Sequence, residues 1–261
     1  FLPTFRRPRQ PADASSRLRE TVGAAQSAEK IGGNRMMQGM SAAARWTLIA
    51  SVIAGLSYVA SWGLTLPPGV ETAWKGAGVA LLAIHAALRA RSMDGWLLAA
   101  VMALGTGGDV LLETHGLTVG AISFLLGHVV ASGLYLRHRK PGSLAPLALI
   151  PVVVAVSFLL PSDRAGAPGI ALYSLFLAVM AATALMSRFP FKTVGLGALM
   201  FVVSDLLIFG RLGPLPDNLA TGLGVWGLYY FGQLLICLGV AGALDASTSD
   251  LPGEGRGPAS A

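Results

Sequence analysis

Apolar residues fall along this chain in eight long blocks, at 45–65, 72–90, 95–113, 117–136, 144–161, 167–187, 191–210 and 222–244, separated by short segments rich in charge, glycine or proline. Each block approaches the roughly 20 residues that an α-helix needs to cross the hydrocarbon core of a bilayer. The pattern predicts an all-α, polytopic membrane protein, an eight-transmembrane-helix bundle. The fifth block contains Pro146 and Pro151, which a membrane helix tolerates near its start. Trp46, Trp62, Trp74, Trp96 and Trp226 all fall near predicted helix ends, the depth at which amphipathic indoles favour the headgroup layer.

Composition gives the same class. With 54% hydrophobic and 12% charged residues and a mean hydropathy of +0.64, the main solvent of the chain is lipid. Basic residues in the short loops set the orientation. Arg89, Arg91, Arg137, Arg139, Lys140, Arg188 and Lys192 lie on one side, against Arg164 and Arg211 on the other. The richer side is cytoplasmic by the positive-inside rule, and both termini are then cytoplasmic. An integral multi-pass location follows, the inner membrane if the source is bacterial.

Three regions are expected. Residues 1–43 form an Arg-, Ala-, Ser- and Gln-rich leader with little apolar surface, read as a disordered basic tail beside anionic headgroups. An organelle transit peptide has a similar composition. Phe1 opens the chain and Met36, Met37 and Met40 stand just before the first span, which leaves open how much of the leader is native. Residues 44–244 form the transmembrane domain, and residues 245–261 a flexible tail. The net charge of +6 sits largely in the cytoplasmic parts and implies affinity for a membrane surface, with no nucleic-acid module. Cys237 is the only cysteine, so an internal disulfide and a thiolate metal cluster are excluded.

Polar groups inside the apolar blocks carry the functional signal, because ionisable side chains at membrane depth are costly and usually mark a cavity. Asp109, Glu113, His128, Asp205 and Gln233 stand in otherwise hydrocarbon surroundings. At a rise of about 1.5 Å per residue, Lys75, Asp109 and Asp205 lie roughly 5 to 8 Å below the outer ends of their helices, Tyr229 and Tyr230 about 11 Å, and His128 and Gln233 about 16 Å. Trp226, Tyr229, Tyr230, Gln233 and Cys237 form one helical stripe. A cavity in the outer half of the bundle satisfies all of these positions. Glu113 reads as a wetted helix-end residue, and Ser204 as a packing hydroxyl, because no histidine accompanies it and G-x-S-x-G is absent.

The segments GTGGDVLLE at 105–113, FLLGHVV at 124–130, FVVSDLL at 201–207 and YYFGQLLI at 229–236, with Lys75 in AWKGAG, occur in an order and spacing that resembles the YhhN-like lysoplasmalogenase family. The likeness covers roughly 45–244. One departure is Gly76, where the family pattern usually carries proline. The resemblance implies hydrolysis of the vinyl ether of a lysoplasmalogen to a fatty aldehyde and a glycerophospho-alcohol, with a lysophospholipid substrate and membrane lipid as the partners.

A vinyl ether opens by protonation on carbon, giving an oxocarbenium ion that water captures. That chemistry needs an acid and an anion, a division that two carboxyl groups supply in glycosidases. Asp109 and Asp205 are the expected catalytic pair, sharing a proton. His128 is expected to orient water or relay a proton, Lys75 to attract the lipid phosphate, and Tyr229, Tyr230 and Gln233 to bind the glycerol or hold the pair. No cofactor and no metal are expected. Two rivals stay open: a zinc-dependent hydrolase built on His128 and two aspartates, and a proton- or cation-coupled transporter or lipid-binding protein using the same carboxylates.

Overall fold

A computed structural model describes residues 40–249. Among the described residues eight α-helices follow one another: α1 Ala42–Ser57, α2 Val70–Arg89, α3 Met93–His115, α4 Leu117–Arg137, α5 Leu149–Leu159, α6 Ala167–Met186, α7 Leu196–Arg211 and α8 Leu219–Ser249. A 3₁₀ segment, Tyr58–Gly63, extends α1, another, Ala145–Ala148, leads into α5, and a π-turn, Phe191–Gly195, leads into α7. No strand occurs among the described residues. Counted with these 3₁₀ and π segments, the helices fall on the eight apolar blocks to within about five residues.

Six of these segments are long and apolar enough to cross a bilayer. The two others differ for separate reasons. Helix α2 carries Glu71, Lys75 and Arg89, and the segment Ala145–Leu159 is apolar but short. Pro146 lies in the 3₁₀ turn and Pro151 in the first turn of α5, where a missing N–H removes no intrahelical bond. The sequence expectations for the leader and the tail lie almost wholly outside the described residues. Helix α8 continues to Ser249, a turn beyond the expected limit at 244.

Neighbours in sequence pack as antiparallel pairs, α1 on α2, α2 on α3, α3 on α4 and α7 on α8, while α4 and α6 meet across a longer connection. One residue, Gly116, joins α3 to α4 with φ +86°, a left-handed conformation that glycine adopts without penalty. Small residues let the helices close up. A β-carbon on Gly197 would fall 2.7 Å from the Gly232 carbonyl oxygen, and one on Gly55 would fall 2.3 Å from the Tyr230 ring.

The two ends of the bundle are built differently. At the end carrying loops 90–92, 138–148 and 187–195, ions and backbone bonds tie the connections together. Asp94 accepts from Arg137 Nε at 2.6 Å and bonds His138 Nε2 at 2.8 Å. The Arg188 amide donates to the His138 carbonyl at 2.8 Å and the Lys140 amide to the Met186 carbonyl at 3.1 Å. Arg89 Nη2 donates to Asp245 Oδ2 at 2.6 Å, and its Nη1 lies 3.3 Å from His85 Nε2. Because Arg89 can only donate, His85 accepts on Nε2 and donates from Nδ1 to the Ala44 carbonyl at 2.7 Å. The opposite end encloses a cavity.

Candidate active site

Asp109 lies six residues before the end of α3, Asp205 six before the end of α7, and Tyr173 six after the start of α6. Helices α3 and α7 run toward the same end of the bundle and α6 runs away from it, so all three side chains reach the same level, about 9 Å below that end. They line one cavity of about 1000 Å³, at the upper end of the size of small-molecule sites. Its walls come from the helix ends flanking loops 64–69, 160–166 and 212–218, the side expected to be outer. Most of the lining is apolar, including Leu112, Phe124, Leu125, Ile170 and Phe209, with Lys75, Glu113 and Arg211 as charged members beside the aspartates.

Each aspartate is buried and each accepts a hydrogen bond from a tyrosine. Tyr229 donates to Asp109 Oδ2 at 2.7 Å, and Tyr173 donates to Asp205 Oδ2 at 2.6 Å. His128 Nε2 stands 3.1 Å from the Tyr173 hydroxyl. Since the Tyr173 proton is committed to Asp205, His128 must be the donor in that contact. A directed chain results, from imidazole N–H to phenol O–H to carboxylate. Phe201 lies between the two carboxyl–tyrosine units, its ring 5.3 Å from Tyr229 and 5.1 Å from His128. Lys75 at the mouth binds Glu113 at 2.6 Å and lies within electrostatic reach of Asp109.

Of the residues singled out from sequence, Lys75, Asp109, Asp205 and Tyr229 line this cavity, and Glu113 joins them through Lys75. His128 and Gln233 do not reach its wall. Both border a small void of about 20 Å³ beneath it, with Gly105, Phe124 and Phe201. Gln233 still adjoins the site. A β-carbon at Gly105 would meet its Nε2 at 2.9 Å and the Tyr229 hydroxyl at 3.6 Å. Tyr230 points elsewhere: its hydroxyl bonds Ser51 Oγ at 2.9 Å between α1 and α2. The polar stripe of α8 is therefore divided, with Trp226 and Tyr229 turned to the cavity and Tyr230 and Cys237 turned to α1 and α2. Trp226, expected at a membrane interface, is buried and donates to the Gly55 carbonyl at 2.8 Å.

Sequence reasoning missed Tyr173. A signal existed, because Tyr173 is the one aromatic hydroxyl in a helix whose other polar side chains are Ser174 and Thr183, and its depth from the helix start equals that of Asp205 from the helix end. Among the described residues no three His, Cys, Asp or Glu side chains gather where they could hold a metal ion.

The model of the YhhN family matches residues 70–240. The chain belongs to the YhhN family. That match takes in α2 through most of α8, and hence both aspartates, both of their tyrosine partners and Lys75. Two relatives named lysoplasmalogenase, from Mycobacterium bovis and Mycobacterium tuberculosis, are each 29% identical over 229 residues, covering 78% of this chain and 85% of theirs. No solved structure matches.

Proposed function

We propose that this YhhN protein is a lysoplasmalogen hydrolase that uses Asp109 and Asp205 as its acid and its anion. All eight helices cross the membrane in this reading, both termini are cytoplasmic, and the cavity faces the other side, the periplasmic face if the membrane is a bacterial inner one. The observation that carries it is two carboxyl groups, from helices distant in sequence, facing one lipid-sized apolar cavity. Uncompensated carboxyls at that depth are costly, and two kept there in different surroundings suit acid–base division. The names of the mycobacterial relatives supply the substrate class.

Asp109, which faces the Lys75 ammonium, serves as the anion. Asp205, held on Oδ2 by Tyr173, serves as the acid and protonates the outer vinyl carbon. The carbon–carbon π bond supplies the electron pair, and the oxocarbenium ion forms opposite Asp109. Water then adds to the cation as Asp109 takes its proton, leaving a hemiacetal. In the collapse the roles exchange: Asp205 removes the hemiacetal hydroxyl proton while Asp109 returns its proton to the departing glycerol oxygen. Aldehyde and glycerophospho-alcohol leave, and both carboxyls regain their starting states. Every proton stays within the pair. Tyr229 and Tyr173 act as positioning residues, Lys75 binds the phosphate in competition with its Glu113 contact, and His128 fixes Tyr173.

Purified protein in detergent, offered alkenyl, alkyl and acyl lysophospholipids, tests the reading when aldehyde and free fatty acid are both measured. Aldehyde from the alkenyl lipid alone is expected. Activity is expected to survive exhaustive chelation, because a carboxylic acid protonates carbon without a Lewis acid. Loss with EDTA and rescue by zinc would replace the mechanism with a metal-assisted one. Fatty acid from the acyl lipid would replace the reaction.

A further inference from the structure

Helices α4 and α6 both begin at the cavity end and run parallel. They touch where His128 meets Tyr173, and Ala131, Leu134, Leu177 and Ala181 are buried below that contact. Above it, the first two turns of each line the cavity. Ile122 and Leu172 show what lies between. Each stands five residues into its helix, about 8 Å below the end of the bundle. Each lines the cavity, and each is more than half exposed, Ile122 at 55% and Leu172 at 57%, more than the other lining residues at that depth on α4 and α6. A side chain that belongs both to a cavity wall and to the lipid-facing surface marks an opening in the side of the bundle.

The opening is apolar on both edges, with Ala121, Ile122 and Leu125 on α4 and Ile170 and Leu172 on α6. It lies at hydrocarbon depth in the membrane orientation proposed above, and Tyr173, the neighbour of Leu172, holds Asp205. The aqueous mouth, by contrast, is edged by Asp163, Arg211, Asp217 and Asn218. A single-chain amphiphile has the same two halves. Drawing its whole chain out through water would cost about 0.8 kcal/mol per methylene, whereas a side opening keeps the chain in hydrocarbon throughout.

We propose that the slit between α4 and α6 is a lateral portal, through which a single-chain lipid slides from the bilayer and in which its hydrocarbon chain stays while the polar end occupies the cavity. The proposal rests on the lipid-hydrolase reading but makes a separate claim, about route and chain position.

Cross-linking tests it. In the Ile122→Cys/Leu172→Cys variant both thiols are at exposed positions, and the native Cys237 is fully buried, so a reducible bifunctional thiosulfonate closes the slit selectively. Protein reconstituted in liposomes is given a long-chain alkenyl lysolipid, and protein in detergent a short, water-soluble alkenyl glycerol ether. Uptake of a non-cleavable long-chain alkyl lysolipid is followed by native mass spectrometry. Cross-linking is expected to lower long-chain turnover about tenfold or more, as for a blocked gating step, and to abolish alkyl-lipid uptake. Short-substrate turnover should stay within about twofold, and reduction should restore the rest. Unchanged long-chain uptake, or equal loss on both substrates, overturns the portal. Protein that cleaves neither alkenyl compound before cross-linking overturns the hydrolase reading instead, and the uptake measurement still decides the portal.

Discussion

The two ends of the bundle spend their polar residues in opposite ways. At the closed end, Asp94 is surrounded by Arg137 and His138, Arg89 by Asp245 and His85, and loop backbones bridge one another. Charges there neutralise charges, and the result joins helices. At the cavity end the two buried carboxyls each receive a phenol, and both line one cavity. Opposite charge is what a structural polar cluster acquires, since leaving a buried charge unpaired is expensive. A phenol donates without carrying a charge, so it leaves the protonation of its carboxyl available for chemistry, and the Lys75 ammonium that faces Asp109 is itself paired with Glu113. In the proposed mechanism, the difference separates the polar groups that hold the fold from those that act.

The largest effect that breaks this comparison comes from Asp109→Asn and Asp205→Asn. Each preserves shape while removing the acid or the charge, and general acid–base groups are typically worth about 10² to 10⁴ in rate. Each single variant is expected to lose turnover by roughly that factor with an unchanged melting temperature. The double variant should be scarcely worse than either single one, because groups that act as a unit are non-additive. Aldehyde release at the normal rate by either variant sinks the two-carboxylate mechanism.

A middle-sized effect sharpens the contrast by pairing one residue from each end. Tyr173→Phe removes the hydrogen bond to Asp205 and, behind it, the acceptor of His128 Nε2. A bond to a charged group is worth about 1.5 to 3 kcal/mol, so kcat should fall about 10- to 100-fold at constant KM. Arg89→Ala, at the closed end, removes the partner of Asp245 and of His85 Nε2. It should lower stability in detergent by about 2 kcal/mol, less than a fully buried pair because Asp245 is partly wet, and leave kcat within about twofold. If Arg89→Ala also loses activity while still folded, the separation of the two ends is wrong.

How much of this was visible in the sequence follows the same division. The helices were legible because lipid demands long apolar runs, and the aspartates because a carboxyl inside such a run has few innocent explanations. Tyr173 was hidden for the converse reason, since tyrosine is amphipathic and common in membrane helices near the interface, so its presence does not by itself mark a site. Tyr229 and Tyr230 could not be told apart, because adjacent residues are about 100° apart on a helix and the polar stripe of α8 is wide enough to hold both. Only the packing of α1, through Ser51 and Gly55, claims Tyr230. Trp226 met the interface rule by depth and broke it by facing inward, which position along a helix alone does not reveal.

The smallest effect concerns Lys75, which has features of both ends: an ion pair with Glu113 like those of the closed end, and a place on the cavity wall. If the ammonium holds the lipid phosphate equally in ground and transition states, its loss changes binding alone. Lys75→Ala should then raise KM about fivefold with kcat nearly unchanged, the size of a half-wet ionic contact of about 1 kcal/mol. Glu113→Gln gives the complementary test. It removes the competing carboxylate and leaves the ammonium, so KM should fall or hold steady. Were Lys75 a purely structural tie between α2 and α3, both variants would instead lower the melting temperature by similar amounts and leave KM alone. A rise in KM for Lys75→Ala together with no rise for Glu113→Gln assigns the lysine to the substrate, because only a group that contacts the lipid distinguishes losing the cation from losing its partner.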